Sequence, residues 1–229
     1  MRILGVSGSL REGSFNTSLL RAAAKAAPDG VELELWEGLA ELPLYAGDLD
    51  GDDAPESVRR LRETWGEADS ILFATPEYNG SVPGGLKNAI DWASRPVRAG
   101  ALNNKTVAVI GASTGQFGAL WAQQDLKRIL GTTGARVVGT EIPVGRAHER
   151  FDNEGRLVDG ELFEQLRLHL TTLAAEAVAV GERVGIKLAA TVDRNEYDMS
   201  WNAPNQGGGN YLGDDVTITA DLALVKATA

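Results

Sequence analysis

Cysteine is absent from this chain of 229 residues, and histidine occurs only at positions 148 and 169. The lack of cysteine excludes disulfides, thiolate catalysis and cysteine-ligated metals. Two histidines far apart in the sequence also argue against a histidine-rich metal site. We therefore expect no bound metal.

Long apolar runs are missing as well. No stretch approaches the roughly 18 uninterrupted apolar residues that indicate a membrane span. The opening sequence MRILGVSGSL has too short an apolar segment to be a signal peptide. We therefore expect a cytoplasmic protein without a membrane partner.

Positive charge is scarce, because 22 lysines and arginines stand against 32 aspartates and glutamates, a formal net charge of −10. Proteins that bind nucleic acid neutralise phosphates with a surplus of lysine and arginine, so we expect no nucleic-acid partner. Any site for an anion in this chain must create its attraction locally.

Strand and helix patterns alternate along the first part of the chain. Short apolar runs bounded by Gly, Ser or Pro predict strands, and apolar residues three or four apart predict helices. The predicted strands are 2–7, 31–36, 68–75, 105–111 and 135–144, and the predicted helices are 16–27, 56–67, 85–94, 119–130 and 160–183. The alternation is typical of an α/β fold, a doubly wound parallel sheet covered by helices on both faces.

The last segment, residues 184–229, has a different character. IKLAATV and DDVTITADLALVK alternate polar and apolar residues as strands do, and a polar, turn-rich stretch lies between them. Because no helix separates these strands, we expect them to be antiparallel or to belong to a different sheet. We place a domain boundary near residue 184.

Three polar loops follow predicted strands, at 7–16, 75–84 and 111–118. In an open parallel sheet, ligands bind outside the carboxyl ends of the strands, and all three loops hold that position. The first loop offers hydroxyls, an amide and one arginine: Ser7, Ser9, Arg11, Ser14, Asn16 and Thr17. A helix N-terminus carries about half a positive charge and suits a phosphate; the alternative is a serine-rich turn capped by Ser14 or Asn16.

The second and third loops have residues that suit a flat ring. Pro76 and Pro83 together with glycines specify a rigid second loop, in which Tyr78 and Asn79 could meet a heterocycle; the alternative is a simple turn in which Tyr78 packs. The third loop, GASTGQFG, is small enough for backbone to approach a ring. It also matches G-x-S-x-G, the turn that carries a hydrolase nucleophile, so a second interpretation makes Ser113 a nucleophile.

That hydrolase interpretation requires His148 or His169 as the general base. His169 falls on the apolar face of a predicted helix, with Leu162, Leu166 and Leu173, and His148 lies in the charged segment RAHER. Both settings are more typical of structural or solvated histidines than of a catalytic base. The first two loops would also be left without a role.

Four stretches of the sequence, in their order and spacing, resemble the NAD(P)H-dependent FMN reductases of flavodoxin-like fold, a family that includes quinone and chromate reductases. The four stretches are SGSLREGSFN, LPLYAGDLD, PEYNGSVPGGLKNAIDW and GASTGQFG. The resemblance covers about residues 1–183. It implies a five-stranded parallel sheet of order 2-1-3-4-5, with FMN as the cofactor and NAD(P)H as the co-substrate. The hydride would pass through FMN to a quinone, flavin, chromate or azo oxidant, so no side chain need act as an acid or base.

The resemblance also assigns roles to individual residues. The implied phosphate ligands are Ser9, Arg11, Ser14, Asn16 and Thr17; the implied contacts of the isoalloxazine are Pro76, Glu77, Tyr78, Asn79 and Gly80 on one side and Ser113, Thr114 and Gly115 on the other. Some relatives carry a tyrosine at the position of Gly80, so an interface contact through that side chain is missing here. Homodimers or homotetramers are usual in the family.

Residues 184–229 resemble a different family. Their two strands look like the last strands of YceI-like polyisoprenoid-binding barrels, but about 40 residues are too few to close such a barrel. We therefore carry over no lipid-binding function. Two functional classes besides a reductase stay open: a flavodoxin-like electron carrier or regulatory flavoprotein without catalytic activity, and an esterase that uses Ser113.

Overall fold

The computed structural model describes residues 1–51, 54–181, 183–193 and 215–225. The chain divides into two compact units, 1–178 and 179–229. The first unit contains the strands β1 (Arg2–Ser7), β2 (Glu32–Trp36), β3 (Ser70–Ala74), β4 (Thr106–Ala112), β5 (Arg136–Val137) and β6 (Pro143–Val144). They run parallel in the order β2-β1-β3-β4-β5, with β6 also paired to β4, which confirms the predicted order.

Helices cover both faces of this sheet. They are α1 (Phe15–Ala26), α2 (Glu56–Glu67), α3 (Gly84–Ala93), α4 (Leu120–Thr132), α5 (Ala147–Arg150) and α6 (Gly160–Gly181), and two short 3₁₀ helices occupy Gly38–Glu41 and Gly47–Leu49. Because successive side chains of a strand point to opposite faces, β3 sends Ile71 and Phe73 to one core and Leu72 and Ala74 to the other.

The two cores differ in their helices. On one face, Trp65 of α2 and Trp92 of α3 are fully buried with apolar residues of α4. On the other face, α1 and α6 pack against the sheet, and the buried residues of α6 include Leu162, Leu166 and Leu173. These leucines are those that predicted the helix from their spacing.

One predicted strand is wrong. The segment 135–144 forms two strands of two residues each, β5 and β6, rather than one continuous strand. Gly139 lies between them with a φ of +74°, a left-handed conformation that interrupts an extended strand. Both short strands pair with β4, at Thr106–Val107 and at Gly111–Ala112, so the apolar residues of the segment still reach the sheet.

The second unit contains two strands, β7 (Arg183–Asp193) and β8 (Asp215–Val225). They pair antiparallel along their whole length, from Arg183 opposite Val225 to Asp193 opposite Asp215. The polar stretch predicted between them lies, beyond Asp193, outside the described residues. The boundary near residue 184 remains a prediction.

Candidate functional site

Three neighbouring strands bring the three polar loops to one edge of the sheet. Ser7 at the end of β1 is level with Ala74 at the end of β3, and Ala74 is level with Ile110 of β4. Backbone hydrogen bonds continue beyond the strands: Gly8 N donates to Ala74 O at 2.8 Å, and Thr75 N donates to Ile110 O at 3.0 Å. The predicted site residues therefore lie on three adjacent loops or, for Asn16 and Thr17, in the first turn of α1.

The first loop ends in a capped helix. Ser14 is the N-cap of α1, and its hydroxyl accepts a hydrogen bond from Thr17 N at 3.4 Å. The Thr17 hydroxyl is 2.9 Å from the hydroxyl of Ser7, across the loop. The Ser9 hydroxyl accepts from Arg11 N at 3.3 Å, so the serines shape the loop as well as presenting oxygen atoms.

Donors remain available in this loop. Among the described residues, neither Phe15 N nor Asn16 N, in the first turn of α1, donates a hydrogen bond. The side chain of Arg11 is exposed and lies over the ring of Phe15, with 5.8 Å from its guanidinium carbon to the ring centroid. In the described part of the chain Arg11 forms no ion pair, which leaves its charge available to an anion.

Asn16 has a role that the sequence did not indicate. Its side chain is buried, and both ends of its amide bind the backbone of Ala112: Nδ2 donates to Ala112 O at 3.0 Å, and Oδ1 accepts from Ala112 N at 2.9 Å. The side chain thus joins the first loop to the end of β4. The side-chain amide of Asn16 is therefore occupied, and its backbone N–H is the group that is available to bind an anion.

The second loop turns sharply at Asn79 and Gly80. Tyr78 and Ser81 exchange backbone hydrogen bonds of 3.1 and 3.2 Å, and the two residues between them have φ values of +53° and +76°. Positive φ at both central positions defines a type I′ turn, for which Asn-Gly is the favoured pair. Pro76 is buried at the base of the loop, whereas Tyr78 is 53% exposed at its tip.

Glu77 links the second loop to α4, the helix that follows the third loop. Its Oε2 accepts a hydrogen bond from Ala122 N at 3.1 Å, in the first turn of α4. A carboxylate at this place satisfies a backbone donor and complements the helix dipole. The side chain predicted to contact the ring therefore fixes the second loop to the start of α4.

The third loop is fixed by close backbone packing. Ser113 N donates to Val144 O, and Ala147 N donates to Ser113 O. A Cβ atom placed on Gly118 would lie 2.4 Å from the backbone of Pro143 and Val144, so no larger residue fits there. Thr114 and Gly115 are exposed on the outer side of this loop.

Gln123 is a further positioning residue that sequence reasoning missed. It is fully buried in α4, where its Nε2 donates to Gly118 O at 3.0 Å and its Oε1 accepts from Ile142 N at 3.1 Å. One amide thus fixes the end of the third loop to the segment that leads into β6. The only sign of this role in the sequence is that a glutamine occupies a position where the helical pattern is otherwise apolar.

The geometry disfavours a serine hydrolase. The Ser113 hydroxyl is 3.4 Å from Gly115 O, and among the described residues it forms no hydrogen bond with either histidine. His148 Nε2 lies 3.6 Å from Glu149 on the surface, and His169 is buried beside Gly139. Ser113 also lacks the positive φ expected of a strained nucleophile turn.

Three further observations concern the described part of the chain. A cavity of about 790 Å³ lies between α3 and α4 and contains none of the predicted site residues in its lining. The described residues include no group of three or more His, Asp or Glu side chains arranged to hold a metal ion. No helix among them is long and apolar enough to cross a membrane.

Comparisons with known proteins agree with the fold. The family model for NADPH-dependent FMN reductases matches residues 1–149. An NAD(P)H-dependent FMN reductase of Pseudomonas aeruginosa is 41% identical over 174 residues, covering 76% of this chain and 93% of that protein. A quinone reductase of Escherichia coli is 36% identical, covering 75% and 92%.

A solved structure is similar as well. The flavoenzyme NAD(P)H:(acceptor) oxidoreductase FerB of Paracoccus denitrificans has a TM-score of 0.68 and 36% identity, covering 76% of this chain and 97% of that one. The chain therefore belongs to the NADPH-dependent FMN reductase family. The family match ends at residue 149, and the resemblance of residues 184–229 to polyisoprenoid-binding proteins stays a prediction.

We predict that Asn16→Ala destabilises the fold by about 2–4 kcal/mol, because it leaves the buried N–H and C=O of Ala112 without partners. Thr114→Ala, on the exposed side of the third loop, is the control and should change stability by less than about 0.5 kcal/mol. Urea unfolding measures both free energies. Equal stabilities of the two variants would show that the amide contact with Ala112 contributes nothing.

A second prediction concerns pH. Burial lowers the pKa of His169 to about 4, and the charge of Lys127 acts in the same direction. An unfolded histidine has a pKa near 6.5, so between these values the unfolded chain binds a proton that the folded chain does not. The stability from neutral His169 is therefore complete above about pH 6.5 and is lost as the pH falls toward 4.

From pH 7 to pH 5, the free energy of unfolding should fall by about 2 kcal/mol more in the unmodified protein than in His169→Gln. Urea unfolding at the two pH values gives this difference directly, since the other titrating groups are common to both proteins. An identical pH dependence would mean that folding does not lower the pKa of His169.

Proposed function

We propose that this protein is an FMN-dependent NAD(P)H oxidoreductase that passes hydride to quinones or to similar small oxidants, such as flavins, chromate or azo compounds. The observation that carries the proposal is the joining of three loops, rich in N–H and hydroxyl groups, at the carboxyl ends of β1, β3 and β4. The names of the related proteins support the same activity.

The first loop fits the phosphate of FMN. The N–H groups of Phe15 and Asn16 have no other acceptor in the described residues, and the hydroxyls of Ser9, Ser14 and Thr17 surround the same turn. A helix N-terminus attracts an anion without a formal charge. Arg11 adds the single full positive charge, which explains how a protein of net charge −10 can hold a phosphate.

The other two loops fit the isoalloxazine. We assign Pro76 to Gly80 to one side of the ring and Ser113 to Gly115 to the other. Both loops are held by backbone or buried side-chain contacts, so they are preorganised for a planar ligand. Backbone N–H groups at the ring edge would stabilise negative charge that develops during reduction.

When bound, FMN supplies the redox chemistry, accepting a hydride from NAD(P)H and passing two electrons to the oxidant. The chain itself supplies position and electrostatics. Glu77 is already engaged by Ala122 N, and the hydroxyl of Ser113 has no basic partner in the described residues. We therefore assign no side chain as a general acid or base, and the proton that completes hydroquinone formation comes from water.

The proposal extends to the cellular location and the oligomeric state of the protein. NAD(P)H is a cytoplasmic reductant, which supports a cytoplasmic location. A homodimer or homotetramer is expected from the family resemblance, and light scattering of the purified protein tests it.

The activity is tested with purified full-length protein. We expect it to bind one FMN per chain, with the visible absorption of a protein-bound flavin, and to oxidise NADH or NADPH when 1,4-benzoquinone is present. Flavin binding without NAD(P)H oxidation would indicate a non-catalytic electron carrier. Absence of flavin binding would refute the proposal, and hydrolysis of an ester that Ser113→Ala abolishes would favour the esterase.

The phosphate role of Arg11 is tested by Arg11→Ala. We expect the dissociation constant for FMN to rise about ten- to a hundredfold, because one charged hydrogen bond contributes roughly 1.5–3 kcal/mol. Riboflavin, which lacks the phosphate, should bind as before. Arg59→Ala, an exposed arginine of α2, is the control; equal losses for FMN and riboflavin would remove Arg11 from the phosphate role.

A further inference from the structure

Two large aromatic side chains stand exposed where the third loop ends and α4 begins. Phe117 is 51% exposed and Trp121, in the first turn of α4, is 48% exposed. Their rings meet edge to face with 4.9 Å between centroids. We call Phe117 and Trp121 the aromatic pair. Leaving such rings in water forgoes the free energy of their burial, and exposed apolar clusters of this kind mark binding sites.

The turn that carries the aromatic pair is rigid. Gly118 and Ala119, between the two rings, both have left-handed backbone, with φ values of +56° and +60°. Gly118 packs against the backbone of Pro143 and Val144, and Gln123 binds its carbonyl oxygen at 3.0 Å. The backbone that carries the two rings is therefore fixed before any ligand arrives.

The aromatic pair borders the proposed flavin site. Phe117 follows Gly115 by two residues, and Trp121 directly precedes Ala122, whose N–H binds Glu77 at 3.1 Å. Glu77 in turn precedes Tyr78, which is 53% exposed at the tip of the second loop. Two exposed aromatic side chains thus follow the segment Ser113–Gly115 assigned to the isoalloxazine, and a third, Tyr78, belongs to the other assigned segment.

The size of the aromatic pair indicates a small ligand. A large aromatic side chain can bury about 150–250 Å², so two half-exposed rings offer roughly 200 Å². A specific protein interface needs about 800 Å² from each partner. A planar ring of one or two cycles matches the available area, and aromatic surfaces prefer stacked or edge-to-face contacts with such rings.

We propose that Phe117 and Trp121 form a binding site for the planar aromatic ring of the electron acceptor, and so favour quinones over oxidants that are not planar. The inference rests on the proposed reductase function, and it adds a site to which the resemblance assigned no residue. Trp121 provides most of the contact surface, and Phe117 fixes its orientation through the edge-to-face contact.

The test compares two acceptors in steady-state kinetics with NADH: 1,4-naphthoquinone, which is planar, and ferricyanide, which is octahedral. In Trp121→Ala, kcat/KM for naphthoquinone should fall about five- to thirtyfold. The values for ferricyanide and NADH, and the dissociation constant of FMN, should stay within about twofold. Trp121→Phe should retain most of the naphthoquinone activity. The control is Leu168→Ala, which removes an apolar side chain that is 68% exposed on α6.

A binding measurement provides a readout that does not depend on turnover. Calorimetric titration of the FMN-loaded protein with 1-naphthol, a planar ring that accepts no electrons, should give weaker binding in Trp121→Ala than in Leu168→Ala. Equal losses of kcat/KM for naphthoquinone, ferricyanide and NADH in Trp121→Ala would overturn the proposal. Unchanged kinetics in Trp121→Ala would also overturn it, and an altered molar mass in light scattering would then identify the aromatic pair as a subunit contact. If the unmodified protein binds no FMN, the reductase function itself fails, which is a different result.

Discussion

The site depends on one buried amide. Asn16 is 96 residues from Ala112 in sequence, yet its side chain matches both the N–H and the C=O of that residue. A backbone unit at the end of a strand would otherwise have to leave two polar groups unpaired in an apolar interior, which is costly. By satisfying both, Asn16 lets α1 begin directly against the end of β4, and the first and third loops become one surface.

The same principle recurs around this surface. Glu77 satisfies a donor of α4, and Gln123 satisfies a carbonyl of the third loop and an N–H before β6. Each contact uses a polar side chain to meet a backbone group of another segment. The polar groups of the site therefore have two different roles. Some hold the loops in position, and others, such as Arg11 and the first N–H groups of α1, are available to bind a ligand.

Sequence alone was sufficient for the architecture. Periodic apolar residues identify most of the strands and helices, and the strand order that the resemblance implied is the observed one. The rule that ligands bind at the carboxyl ends of parallel strands selects the three loops to which we assign the site. Sequence was not sufficient for the roles of Asn16, Glu77 and Gln123, because their partners lie 96, 45 and 19 residues away. The break at Gly139 was missed for a related reason, since both short strands keep the apolar pattern of a single one.

The Glu77 contact has a consequence for how such a protein can change. Its carboxylate joins the second loop to α4 through the backbone of Ala122 rather than through a side chain, so the link is indifferent to which residue stands at the neighbouring positions. Tyr78 and Phe117 project from the second and third loops, and Trp121 projects from the first turn of α4. The frame that would hold the cofactor and the surface that would select the oxidant are thus separable, and evolution can alter the acceptor range without rebuilding the fold.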